Sequence, residues 1–326
     1  MPKAVFTSIL APHSKVTEEQ LATEQGILSL EQNLRALNRR RFLTSIAAAG
    51  AIATLSGTLA GTRAMAQTTA PSVTDILNFA LNFEFLEAEF YSYGATGKSL
   101  AANVSAGTVT ANLPAITTSN VSNPPAVTLS GNQQNVALAL MADEAHHIAT
   151  LQSAISTLGG TAITEPMIDF SAGGTMPAVT TNLAFFAAAR QFTALGNSAY
   201  AGAAADLISN PAVLLTASQI LGAEGQHLGV VNYLCATLGI TPTTDKMIDA
   251  QDVPPNGTAA IFTVTPIGTV PYASGAAAPA VGIARTPQQV LGVVYGISTP
   301  ATTTPPAGTV TGGFFPAGVN GAITST

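Results

Sequence analysis

The sequence predicts an all-α protein: a four-helix bundle assembled from a duplicated helical hairpin, followed by a mostly irregular Pro/Gly/Thr-rich C-terminal tail. Three observations carry this. Four Ala-rich apolar segments with helical patterning run near 72–94, 132–158, 180–208 and 211–238. The second and fourth of these match at an offset of 80: Glu144 with Glu224, His147 with His227, Thr157-Leu158-Gly159 with Thr237-Leu238-Gly239, and Met167-Ile168-Asp169 with Met247-Ile248-Asp249. The first and third match more weakly at an offset of 109, where Ala80, Phe83, Leu86 and Tyr91 correspond to Ala189, Phe192, Leu195 and Tyr200. Two related hairpins bury their apolar faces against each other most simply as a four-helix bundle, with a long crossover if the halves run parallel.

Taken in chain order, the first helix sets Glu84, Glu87 and Tyr91 along the face of Leu77 and Ala80. A Val/Thr/Asn/Pro-rich insertion, residues 95–131, separates it from the second helix. There Glu144 and His147 share a stripe with Ala137, Leu140, Leu151 and Ala154. The third helix carries Arg190 and a small-residue pattern, Ala199, Gly202 and Ala203, suited to close helix packing. In the fourth, Glu224 and His227 lie on the stripe of Ala217, Ile220, Val231 and Leu234. Cys235, the one cysteine of the chain, excludes an intramolecular disulfide framework and reads as a small apolar core residue. From about 250 onward Pro, Gly, Thr and Ala dominate, interrupted by the short helix candidate TPQQVLGVVYG. This composition buries little surface alone, so the tail is expected to order where it docks on the helices.

The segment NRRRFLTSIAAAGAIATLSGTLAGTRAMAQ places Arg39, Arg40 and Arg41 before a moderately apolar Ala/Gly-rich stretch ending in Ala64-Met65-Ala66. It resembles a twin-arginine export signal cleaved after Ala66, which implies passage through the twin-arginine translocase and a periplasmic or secreted location. The stretch is too rich in Ala, Gly, Ser and Thr for stable membrane insertion, so the mature form is not expected to span a membrane. The expected division is then a leader and signal over 1–66, a bundle over 67–249 and a tail over 250–326. Without residues 1–66 the chain keeps four basic and thirteen acidic residues, a net charge of −9. Such a surface offers no basic patch to a phosphate backbone, which argues against nucleic-acid binding.

Only 9% of the residues are charged, so charges on apolar stripes are informative. An unpaired buried carboxylate is costly, and several converging ones imply a bound cation, a protonated state or an internal cation. Glu-x-x-His on each of two bundle helices, with a single Glu from each of the other two, is the ligand plan of di-iron and di-manganese carboxylate bundles. The spacing lets one helix offer an oxygen and a nitrogen to the same site, and carboxylates bridge two ions. Other chemistries lack their motifs: no G-x-S-x-G elbow, P-loop or Cys/His nucleophile arrangement occurs in the sequence.

The stretches ILNFALNFEFLEAEFY, DEAHHIATLQ, AEGQHLGVVN, GNSAYAGAA and GGFFPAGVNG resemble the exported bacterial ferritin-like domain family, related to plant desiccation-related proteins, over nearly all of the mature chain. The resemblance implies a ferritin-like four-helix bundle with a dinuclear iron or manganese site. Carried over by position, it implies Glu84, seven residues before Tyr91, then Glu144 with His147 and Glu224 with His227 as metal ligands. The third-helix ligand falls seven residues before Tyr200, at Thr193, where relatives often place Glu; the 109 offset from Glu84 leads to the same residue.

Two versions of the centre follow. In one, the five residues bind one or two ions with Glu87 or water in the gap, serving oxidase, peroxide-consuming or metal-handling chemistry. In the other, Arg190, one turn before Thr193, ties the carboxylates into a metal-free network in a structural or desiccation-protective envelope protein. Glu87 stands either in this gap or on the solvated edge of the first helix; Glu89, pointing away from Glu84, is placed on that edge. Asp143 and His146 are placed at the surface or behind the ligands. Tyr91 and Tyr200 are read as core tyrosines whose hydroxyls satisfy a buried carboxylate.

Overall fold

The structure, a computed structural model, describes residues 71–111, 113, 119–240, 284–297 and 305–326. The leader with its Ala64-Met65-Ala66 site, the repeat match at 247–249 and the tail between 250 and 283 lie outside the described residues.

Helix α1, Val73–Thr96, begins where the Ser72 hydroxyl accepts from the Asp75 amide and the Asp75 carboxylate accepts from the Ser72 amide, satisfying two free N–H groups of the first turn. It ends at Gly97, whose φ of 70° is a left-handed cap open to glycine at little cost. After it come a short helix α2, Leu100–Ser105, and a two-residue strand β1, Val121–Ser122. Helix α3, Gly131–Thr157, leads to strand β2, Ile168–Asp169, and then to α4, Asn182–Ala203, capped by the Thr181 hydroxyl. Helix α5 spans Pro211–Thr237, and α6, Pro287–Val294, lies in the tail where its sequence predicts a helix.

The duplicated hairpin is present. α1 packs along α3 and α4 along α5, and the two pairs meet chiefly through α1 and α4. The third helix is shorter than its apolar pattern, ending at Ala203 instead of 208. Residues 204–209 run on as consecutive turns, and Pro211 then drives the preceding residue out of the helical region, so Asn210 sits at φ −125°, ψ 89° and caps α5 by accepting from the Val213 amide.

Parts of the insertion, of the α3–α4 connection and of the tail fold back on α1 among the described residues. β1 pairs in parallel with β2, Val121 opposite Ile168, and so joins the 95–131 insertion to the α3–α4 connection. Asn78 donates to the Thr161 carbonyl at 3.1 Å and accepts from the Ile163 amide at 2.9 Å. Asn82 does the same for the tail, donating to the Asn320 carbonyl at 2.9 Å and accepting from its amide at 2.8 Å. Under this cover the core is aromatic: Phe90 stacks on Phe185 with centroids 4.6 Å apart, and Phe192 meets Phe314 of the tail edge to face. Gly94 makes the α1–α4 approach possible, because a Cβ there would lie 2.0 Å from the Phe185 ring.

Two expectations are corrected. Gly202 serves the tail and not a neighbouring helix: a Cβ would lie 1.8 Å from the Arg285 carbonyl oxygen, and the Arg285 amide donates to the Ser198 carbonyl at 3.0 Å. Glu89, expected at a solvated edge, is fully buried, because α2 and the α3–α4 connection cover that side of α1. Its carboxylate accepts from the Leu100 amide at 3.0 Å and lies beside the buried carboxyl of Glu165, whose two oxygens have no hydrogen-bond partner. Burial, then the charge of Glu89, raise Glu165 from 4.5 to about 9. Among the described residues no helix is long and apolar enough to cross a membrane.

Replacing Asn82 by alanine strands two backbone groups of Asn320, and the expected loss is about 1–3 kcal/mol in urea unfolding together with faster proteolysis of the tail. Glu165 gives a pH dependence of definite sign. Its folded-state pKa is raised, so its contribution is fully present below about 4.5 and is lost as pH rises through about 9. Unfolding midpoints between pH 5 and 9 are therefore expected to fall less steeply in Glu165→Gln than in the parent protein.

Candidate metal centre

The polar interior begins with the helix stripes. α1 turns Glu84 and Glu87 inward, α3 Glu144 and His147, and α5 Glu224 and His227, all six buried. Glu84, Glu144, His147 and Glu224 each bring one donor atom into a group in which all lie within 4.8 Å of one another. The Nδ1 atom of His147 sits among three carboxylates, 2.9 Å from Glu144, 3.2 Å from Glu84 and 3.3 Å from Glu224. His227 stands at the edge of this group, its Nδ1 3.0 Å from Glu144 Oε1 and 3.9 Å from Glu224 Oε1. Each histidine thus reaches the glutamate of the other motif, and the two rings lie 5.7 Å apart, 29° from parallel. The five residues singled out from the sequence are brought together.

The ring of His227 is oriented from behind. Its Nε2 faces Asp143 at 3.2 Å, so Nδ1 turns to the cluster. Asp143 lies on the solvent side of α3, as its place in the stripe predicts. His146 is exposed, its Nδ1 donating back to the Ala142 carbonyl at 2.6 Å. The Tyr200 hydroxyl donates to Glu84 in a short hydrogen bond, matching the role expected of it. Tyr91 does not share that role: its buried hydroxyl has no hydrogen-bond partner, because the neighbouring oxygens lie beyond its reach.

The electrostatics follow from burying four carboxyls together. Burial raises Glu87 well above the ordinary carboxylate range, and the charges of Glu224, Glu144 and Glu84 raise it further. Burial, then Glu144, lift Glu224 to about 8. Glu84 is raised by burial and partly relieved by His147. Glu144 goes the other way: burial works against its charge, but the two imidazoles hold it at about 2. Burial alone would neutralise both histidines, yet Glu84 with its neighbours drives His147 far up, and Glu144 with Glu224 and Asp143 drives His227 to about 9.

Several donor atoms stay orphaned. Glu87 Oε2, Glu144 Oε1, Glu224 Oε2 and His227 Nδ1 are buried without a hydrogen bond; the 3.0 Å approach of His227 to Glu144 is out of line for one. Buried oxygens and an imidazole nitrogen left unpaired around one small space are a donor set that fits a hard or borderline divalent cation. Thr193, fully buried, offers no anionic oxygen and spends its hydroxyl on the Ala189 and Arg190 carbonyls. Arg190 is buried on α4 too, but the groups acting most strongly on the four carboxyls are those carboxyls themselves and the two histidines.

Residues 72–237, half of the chain, match the ferritin-like domain family. The protein belongs to that family. No curated protein matches the chain significantly.

One residue of the site was not singled out from the sequence. Gly196, on α4, would with a Cβ come within 2.5 Å of Glu87 Oε1 and 3.1 Å of Glu224 Oε2. The 109 offset contains the signal, because it maps Glu87 onto Gly196.

Tyr200→Phe leaves a buried Glu84 oxygen without its donor, and the metal-depleted protein is expected to lose about 1–3 kcal/mol in chemical denaturation.

Proposed function

We propose that this is a metal-binding ferritin-like protein whose ions are iron or manganese, held by Glu84, Glu144, His147, Glu224 and His227. The observation that carries the reading is the convergence of four buried donor atoms within 4.8 Å of one another, with further donor atoms left unpaired beside them. Carboxylate oxygen with imidazole nitrogen suits iron and manganese, and the spacing suits one or two ions. Glu144 and Glu224, each near both histidines, would bridge or chelate the ions, and Glu84, hydrogen-bonded by Tyr200, would supply a further oxygen.

Bound iron or manganese supplies the redox and Lewis-acid chemistry of an oxidase, a peroxide consumer or a metal-handling protein. The protein's own residues set what reaches it. A cavity of about 40 Å³ is lined by Leu77, Phe83, Ala217 and Val290 together with Glu84 and Glu87. On the measure by which a single water needs roughly 10–15 Å³, that volume takes a few water-sized molecules, so the reading favours a small uncharged reactant over a bulky organic substrate. Tyr200, hydrogen-bonded to Glu84 and lining the same cavity, is positioned to pass a proton or an electron. The arginine run at 39–41 and the Ala-x-Ala site support export by the twin-arginine route, which carries folded passengers, and so loading with metal before export.

Metal analysis of the natively exported protein beside a Glu144→Ala, Glu224→Ala double variant tests this. About one or two equivalents of iron or manganese, lost in the variant, are expected. No metal in the parent protein, and none after anaerobic loading with either ion, would overturn the reading in favour of a metal-free, protective envelope protein, with Arg190 as the residue to examine.

A further inference from the structure

Resting on the metal-binding reading, we propose that Glu87 is the fourth carboxylate ligand of the centre, standing in from α1 for the glutamate that α4 lacks at Thr193, in a space kept open by Gly196.

The dinuclear plan needs four carboxylates and two neutral histidines, whose charge balances two divalent ions. Thr193 breaks the plan at one corner. Its hydroxyl donates to the Ala189 and Arg190 carbonyls at 3.0 and 3.2 Å, so it turns along its own helix. The repeat shows where the missing charge went. At the 109 offset Glu84 pairs with Thr193, and Glu87, one turn on, pairs with Gly196. One helix of the pair carries both carboxylates and the other carries neither.

Geometry makes the exchange specific. A Cβ at residue 196 would stand 2.5 Å from Glu87 Oε1 and 3.1 Å from Glu224 Oε2, so it would displace the Glu87 carboxyl and crowd that of Glu224. Glycine weakens a helix relative to alanine, and here it yields room for an acid. Glu87 is buried, and its Oε2 has no hydrogen-bond partner; the same holds for Oε2 of Glu224. Its charged neighbours are the carboxyls of Glu224, Glu144 and Glu84 and the ring of His147. Each of these adjoining carboxyls turns one oxygen to the glycine of α4, Oε1 of Glu87 and Oε2 of Glu224, and each keeps an unpaired Oε2, so the two together would hold the second ion. The cation class is hard and divalent, iron(II) or manganese(II).

The test loads the full chain with manganese(II) without oxygen, removes loose ions, and reads metal content and electron paramagnetic resonance. The parent protein is expected to hold about two equivalents with the signature of a coupled pair, and Glu87→Gln about one, with the six-line spectrum of an isolated ion. Glu89→Gln, which changes a buried carboxyl of the same helix outside the centre, should leave both readouts alone. The double variant Glu87→Gln, Thr193→Glu, which returns the acid to α4, should recover the second ion. Gly196→Ala should lose it without altering any ligand, and carries the test if Glu87→Gln does not fold by circular dichroism. Unchanged metal content and spectrum in Glu87→Gln or Gly196→Ala overturns the proposal and leaves the metal-binding reading standing. A parent protein that takes up no manganese or iron overturns both.

Discussion

Four glutamates drawn into one bundle interior are the constraint on which the rest of this molecule depends. Each carboxylate taken out of water loses hydration that only a cation, a proton or a hydrogen bond restores, and several together repel one another. The described part of the fold supplies few internal donors: Tyr200 reaches Glu84, and the imidazoles reach Glu84, Glu144 and Glu224. Helices of α1's composition, apolar on nearly every face, can carry such groups only if something else covers them. That cover comes from the insertion, the α3–α4 connection and the tail, all fastened to α1 by side chains that act as backbone partners.

The same cover sets the strength of the centre. Closing the bundle keeps water from the carboxyls, so Glu87 and Glu224 resist ionisation while Glu144, between two imidazoles, is anionic across the physiological range. The histidines supply positive charge to the same space. A divalent ion entering it would meet buried ligands and would have to displace their protons. Asp143 adds the orientation of His227 from the solvent side, a contact that reaches the centre without lying in it.

Much of this was legible in the sequence, for physical reasons that name its limits. The 80 offset exposed the hairpin duplication because ligand spacing and helix exits are both local. Glu144, His147, Glu224 and His227 were legible for the same reason, since an i, i+3 pair on an apolar stripe has one direction to face. Glu89 was misplaced because the stripe of a single helix says nothing about the segments that later cover its other side; the α3–α4 connection that brings Glu165 to it is irregular in sequence. The pattern of α4 overruns its end because apolar residues continue to Ile208, whereas the chain leaves the helix after Ala203 and runs on as turns. Gly202 read as a helix-packing residue because small residues serve helices and chain crossings alike. Tyr91 and Tyr200 hold repeat-related positions, yet only Tyr200 reaches a carboxylate, a difference of a few ångströms that no spacing encodes.

The departure at Thr193 is better understood as a redistribution than as a loss. A symmetric pair of hairpins would place one inward glutamate on each of α1 and α4, with equal side-chain volume on both sides of the interior. Here α1 carries the larger share and α4 the smaller, Glu84 and Glu87 at the positions that correspond to Thr193 and Gly196, with Glu87 lying against Gly196. Volume and charge move together, as they must in a packed interior, since an extra carboxyl on one helix fits only where the facing helix gives up atoms. Had the centre merely decayed, a threonine would be expected opposite an unchanged partner, with no reason for a helix-weakening glycine one turn beyond it. The glycine is where the carboxyl needs it, and that coincidence of sterics with charge is what distinguishes a relocated ligand from a vanished one.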